Sequence, residues 1–301
     1  MSASAPPLLG AIEAGGTKFI LALGTSPLDL KDSTRLPTTS PEETLAATIA
    51  WFRAAQLRHG PLAALGVGTF GPAGLHPGQP DFGFITTTPK PGWAHCDLLG
   101  PLRAAFPIPL GFDTDVNAAA LGEWTWGAGR GLDSLAYVTV GTGIGGGAIL
   151  HGRPLHGLLH PEIGHLRIPV PSDGFPGICP WHGNCLEGLA SGPALAARWG
   201  QAPESLPPDH PAWDAEAAHL AAAALNILLT LSPHRLVLGG GVLQNEHLLP
   251  KVRQHLAALL NGYLVHPTLG PDLTSWLVAP HLGTHSGIAG ALALAAQALL
   301  S

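Results

Sequence analysis

Cys179-Pro180-Trp181-His182-Gly183-Asn184-Cys185 sets two thiols and an imidazole at CxxHxxC spacing, and His165 stands 14 positions before Cys179. Two-residue spacers let neighbouring ligands turn onto one ion. Two thiolates with two imidazoles suit a tetrahedral Zn2+ in a closed, structural site. His165, Cys179, His182 and Cys185 are therefore read as zinc ligands. The competing reading is chance, because the chain carries 16 histidines. Three cysteines are too few for a disulfide framework.

Three glycine clusters offer backbone N–H groups with little obstruction. Gly15-Gly16-Thr17-Lys18 adds a hydroxyl and an ammonium, a set that can cradle phosphate oxygens. Gly141-Thr142-Gly143-Ile144-Gly145-Gly146-Gly147 offers a second cradle. Gly239-Gly240-Gly241 follows an apolar run and admits a flat ligand. Neither GxxxxGK[ST] nor GxGxxG fits. Each cluster alone reads first as a turn that needs positive φ; three of them, two with Gly-Thr, favour phosphate.

Asp113-Thr114-Asp115-Val116-Asn117 follows a strand-like run and precedes a helical one. A carboxylate at a strand end can take the proton of a hydroxyl nucleophile. It can also merely cap the following helix.

The elements that position these groups alternate. Apolar runs flank Gly15 and Gly16 as two strands; Pro41 to His59 has helical spacing with Glu42 and Glu43 at its start; Leu62 to Val67 is a strand. Leu135 to Val140, a turn over Gly141 to Gly147, and Ala148 to Leu150 restart the pattern. Ala212 to Leu231 and Gly287 to Leu300 read as helices, and Arg235 to Leu238 as a strand. This is an α/β chain with a largely parallel sheet and a weak internal repeat, suggesting two similar lobes with a cleft between them. The expected lobes are residues 1–114 and 115–286, with a zinc loop at 160–187 and the helix at about 287–301 a candidate to pack back on the first lobe.

Of 301 residues, 46% are apolar and 11% charged, so the chain can bury a large core. A net charge of −6 gives no electrostatic reason to bind nucleic acid or an anionic membrane. The longest apolar stretch, Ala217 to Leu231, is interrupted by His219 and Asn226 and falls short of a membrane span. The first basic residue is Lys18, which gives no signal-peptide n-region. A cytoplasmic protein is expected.

Together these residues resemble the ROK family of sugar kinases (repressors, open reading frames and kinases), over nearly the whole chain. Glu13 to Phe19 looks like its first phosphate motif and Thr139 to Gly145 its second. Gly68 to Pro72 and Ile85 to Trp93 look like its sugar-side loops, and Asp115 to Glu123 like its catalytic segment. Glu162-Ile163-Gly164-His165 with Cys185 to Pro193 is similar to its signature around zinc and sugar. The CxxHxxC unit resembles the bacterial fructokinase branch. Glu13 departs from the wider superfamily's Asp, a position linked to magnesium.

The resemblance implies a two-lobed actin/hexokinase-like (ribonuclease H-like) fold and ATP-dependent phosphorylation of a sugar, with fructose giving fructose 6-phosphate. Glucose, mannose or N-acetylmannosamine are the alternative substrates within the family, and a non-catalytic sugar-sensing regulator the alternative to an enzyme. It implies Asp115 as general base. Gly71, Asn117, Glu162, His165 and Glu187 would bind sugar. Gly15, Gly16, Thr17, Lys18, Gly141, Thr142 and Gly143 would hold ATP phosphates with Mg2+, and Gly240 and Gly241 would lie near adenosine. Zn2+ on one nitrogen of His165 would leave the other for a sugar hydroxyl. Dimers are common in the family, so a homodimer is implied.

Overall fold

The computed structural model describes residues 6–300. Two apolar runs joined at Gly15 and Gly16 form a hairpin, β1 (Leu9–Ala14) and β2 (Lys18–Ser26), extended by β3 (Asp29–Pro37). Helix α1 spans Pro41–His59. Ser40 accepts the Glu43 N–H at its start, and Gly60 ends it at φ 99°. Then follow β4 (Ala64–Thr69), β5 (Phe84–Ile85), β6 (Cys96–Asp97), α2 (Leu99–Ala105), β7 (Leu110–Thr114) and α3 (Asp115–Trp126). The first sheet runs β3-β2-β1-β4-β7, with β4 parallel to β1 and to β7.

The second half contains β8 (Ser134–Val140), β9 (Ile144–Leu150), β10 (Arg153–Pro154), α4 (Leu186–Ala190), α5 (Gly192–Trp199) and α6 (Ala212–Leu231). It continues with β11 (Leu236–Gly239), α7 (Leu248–Leu260), β12 (Leu277–Val278) and α8 (Ser286–Ala298). Its sheet runs β10-β9-β8-β11-β12. Strand for strand, this repeats the first sheet: an antiparallel meander, then two strands parallel to its first. The internal repeat is thus a repeated topology. The second glycine turn is shorter than expected. Only Gly141 to Gly143 turn, and Gly145 to Gly147 lie in β9, where a Cβ on Gly146 would press on the Ile163 side chain.

The chain divides into two compact units. One takes the chain through Arg130 with His156–His160 and the segment from Thr284 on. The other takes Gly131–Leu155 and Pro161–Gly283. The division falls after α3 rather than at Asp115, because α3 packs against α8 within the first unit. Gly122 and Gly290 make the crossing close: a Cβ on Gly290 would meet the Ala118 backbone, and one on Gly122 the backbone of Ser286 and Gly290.

Helix α6, at 20 residues, is long and apolar enough to cross a bilayer by length and composition alone. Its Leu220, Ala224 and Ile227 are buried in one core cluster with Val138, Leu236 and Leu238 of the sheet, which accounts for the apolarity.

Candidate active site

In the first unit the Gly15–Thr17 turn is pinned from β3's far end. Thr38 Oγ1 donates to the Gly15 carbonyl at 2.7 Å, and Thr38 N–H to the Thr17 carbonyl at 3.1 Å. Gly15 has no room for a side chain against the Lys18 carbonyl, whereas the space beside Gly16 is open. Glu13, two residues upstream, accepts the Ile288 N–H near the start of α8. Burial raises its proton affinity, against the opposing pull of Lys18 and Arg35. Its Oε2 is buried without a partner among the described residues.

At the end of β7, Thr114 caps α3 by accepting the Asn117 N–H at 3.2 Å. The cap is therefore neither aspartate. Asp115 is the first helical residue, and its Oδ1 accepts the Val116 N–H at 2.8 Å. Asp113 is buried and fully engaged. Oδ1 accepts from Thr114 N–H at 2.8 Å and Asn117 Nδ2 at 2.7 Å, and Oδ2 faces His156 Nε2 at 2.9 Å. Asn117 is 1% exposed, and its Oδ1 has no partner among the described residues. Gly71 lies beside the His160 ring, whose Nε2 accepts the Ala73 N–H at 3.2 Å.

In the second unit the Gly141–Gly143 turn closes on itself, Gly141 N–H to Gly143 carbonyl at 2.9 Å, and Gly192 N–H at the start of α5 donates to the Gly141 carbonyl at 2.8 Å. Glu187, in the first turn of α4, accepts the Ile144 N–H through Oε2 at 2.9 Å. Burial and then the Glu187 charge raise the proton affinity of Glu162, so these two acids are neighbours. Gly240 is a glycine for structural reasons, with φ 100° and the Val140 backbone where a Cβ would go. Gly241 is open and lines a cavity of about 410 Å³ with Val242, Gln244, Trp213 and Glu204.

His165, Cys179, His182 and Cys185 converge, with ligand atoms all within 4.8 Å of one another. His165 Nδ1 lies 3.4 Å from Cys185 Sγ and 3.8 Å from Cys179 Sγ, and His182 Nδ1 lies 3.7 Å from Cys179 Sγ. Tetrahedral bonds of about 2.3 Å to sulfur and about 2.0 Å to nitrogen set ligand atoms roughly 3.3–3.8 Å apart, and the three sulfur–nitrogen separations above fall in that range. Cys185 is also the residue preceding α4, and Ile178 N–H donates to the Gly188 carbonyl, so the loop that carries the cluster is stitched to the helix that carries Glu187.

Residues 9–298 match the ROK family. The chain belongs to the ROK family. It is 44% identical to the fructokinase of Pediococcus pentosaceus over 293 residues, covering 97% of this chain and 99% of that one. It is also 44% identical to the fructokinase of Zymomonas mobilis over 297 residues, 97% of each. Among solved structures it resembles the ROK hexokinase of Thermus thermophilus at a TM-score of 0.76 and 28% identity, over 96% of this chain and 98% of that one.

This ROK chain has the family's two-lobed, actin-like α/β fold, as expected. The first unit brings together Asp115 and Asn117, and carries Gly71 and the Gly15–Lys18 turn. The second brings the Gly141–Gly143 turn beside Glu187 and Glu162, and carries the His/Cys cluster, Gly240 and Gly241. Sequence reasoning missed the Asp113–His156 pair and the bond from Ser286 Oγ to Glu123 at 2.7 Å. Nothing local in the sequence signals either, since the partners are 43 and 163 positions apart.

Proposed function

We propose that this ROK protein is an ATP-dependent fructokinase that transfers the γ-phosphoryl group of ATP to the 6-hydroxyl of fructose. The observation that carries this reading is the α3 start: a carboxylate that is not the helix cap, Asp115, stands two residues from a buried Asn117 Oδ1 without a partner. The fructokinase names of relatives at 44% identity support the choice of sugar.

Phosphoryl transfer asks the protein chiefly to position reactants and to neutralise charge. Asp115 accepts the proton of the attacking hydroxyl. Asn117 Oδ1 accepts a sugar hydroxyl, and the Gly71 backbone adds a contact. Glu162, Glu187 and His165 also take sugar hydroxyls. Gly15, Gly16, Thr17 and Lys18 hold phosphate oxygens through one turn, and Gly141, Thr142 and Gly143 through the other. The cavity beside Gly241 takes the nucleoside, with Gly240 shaping its edge. Mg2+ would enter with ATP and would supply neutralisation of the charge that develops on the phosphates. His165, Cys179, His182 and Cys185 would hold Zn2+, which would fix the loop that ends at Glu187. The enzyme works in the cytoplasm as a homodimer.

A coupled ADP-release assay across fructose, glucose, mannose and N-acetylmannosamine tests the reading. The highest kcat/KM is expected with fructose. A higher value for another hexose moves the assignment within the family, and sugar-independent ADP release alone removes it.

A further inference from the structure

We infer that His156 is a positioning residue for the sugar: its bond to Asp113 fixes the amide of Asn117 so that Oδ1 is presented to a sugar hydroxyl. This rests on the kinase reading above.

The segment His156–His160 lies in the second half of the sequence but packs with the first unit. Histidines hold it there. His156 Nε2 meets Asp113 Oδ2 at 2.9 Å, His160 Nε2 accepts the Ala73 N–H at 3.2 Å, and His76 Nε2 meets the Leu158 carbonyl at 3.0 Å. The strap thus touches both sugar-side stretches of this unit, the Gly71–Ala73 loop through His160 and the Asp113–Asn117 stretch through His156.

The chemistry of Asp113 makes the His156 contact consequential. A carboxylate has only acceptors to offer, so the nitrogen side of the Asn117 amide must face it and the oxygen side must face away. Oδ1 of Asp113 already takes two donors, from Thr114 and Asn117. His156 supplies the donor for Oδ2. Asn117 Nδ2 is also 3.5 Å from His156 Nε2. A ring nitrogen that donates to Asp113 cannot accept there, so Asn117 has no alternative partner to turn toward. Without His156, Oδ2 of the 2% exposed Asp113 side chain becomes a second acceptor on the same carboxylate, so the Asn117 amide nitrogen can shift between the two oxygens and carry Oδ1 out of the position the strap sets. The Asn117 Oδ1 that the strap leaves over is buried and unpartnered, the arrangement a hydroxyl donor completes.

Two polar variants of this partly exposed side chain separate the role from mere packing. In His156→Gln the side-chain amide nitrogen extends about as far as Nε2 and still reaches Asp113. In His156→Asn it stops one carbon short. Fructose KM, ATP KM and kcat are measured for both, with melting curves to establish folding. His156→Asn should raise the fructose KM about tenfold, the effect of roughly one hydrogen bond to a charged group, with ATP KM and kcat within about twofold. His156→Gln should stay within about threefold of wild type on fructose KM. An unchanged fructose KM in His156→Asn overturns the proposal, as does a His156→Gln enzyme no better than His156→Asn. Wild-type protein is assayed first on the four hexoses. Turnover with no difference between the variants defeats the strap alone, and no turnover on any hexose defeats the kinase reading and the strap with it.

Discussion

The Oε2 of Glu187 accepts the backbone N–H of Ile144 at 2.9 Å, and the same oxygen occupies the space into which a side chain on Gly143 would grow. A proposed sugar ligand and a proposed phosphate turn are therefore two faces of one contact in the second unit. Substitutions two residues apart in this turn should have different kinetic signatures. Gly143→Val displaces the Glu187 carboxylate and should raise the KM for both ATP and fructose. A Cβ on Gly141 meets no protein atom within 4 Å, so Gly141→Val is expected to crowd the ligand rather than Glu187. It should raise the ATP KM alone. Equal profiles for the two variants would refute the shared contact.

Asp115→Asn should lower kcat by at least about 100-fold, since loss of a general base costs ~10²–10⁴. The melting temperature should hardly move, because Thr114 supplies the cap. Thr114→Ala should do the reverse, losing about 1 kcal/mol of stability with far smaller loss of turnover. Near-normal turnover in Asp115→Asn would refute the assignment of the base.

Cys179→Ser and Cys185→Ser each remove a proposed metal ligand and keep every proposed sugar contact. Cys185 lies two residues before Glu187, and His165 three after Glu162. Metal loss should lower the melting temperature and raise the fructose KM by ~10–100-fold. Metal content is measured on the same samples by atomic absorption. Metal-free protein with an unchanged fructose KM would restrict the ion to holding the loop.

The Asp113 carboxylate raises the proton affinity of His156, through their hydrogen bond first and its charge as well, against an opposing cost of burial. A pKa raised in the folded state adds stability that is fully present below the unfolded value of about 6.5 and fades as pH climbs through the folded one. The melting-temperature advantage of wild type over His156→Gln, whose side chain does not titrate, should therefore be largest near pH 6 and shrink toward about pH 9. An advantage independent of pH over this range would show that the pair is not held by charge.

Local chemistry was legible where one segment carries its own signal. The bounds of α1 and α6 follow from apolar spacing and from their flanking breakers, and the His/Cys cluster follows from spacer length. Choices between equivalent local chemistries were not legible. Thr114 and its two flanking aspartates are all good caps, and only the backbone at the end of β7 decides among them. Glycine likewise reads as turn, although Gly145 to Gly147 are strand residues beside Ile163. Pairings across the chain, such as His156 with Asp113, depend on how the strap returns to the first unit, and no window of sequence holds both partners.

Helix α8 lies against β1, β4, β7 and α3, and its Ile288, Ala291 and Leu292 share a buried cluster with Leu9, Ala11 and Ala64. The ribosome makes those strands early and this helix only after the whole of Gly131–Gly283. The first sheet to emerge must then wait, with one apolar face uncovered, while the nearly continuous second unit can complete its own core. Domains usually mature from the N-terminus during synthesis. Here the order of completion is reversed, and a chain released before Ser286 would leave the first unit, and with it Asp115, without the helix that closes its core.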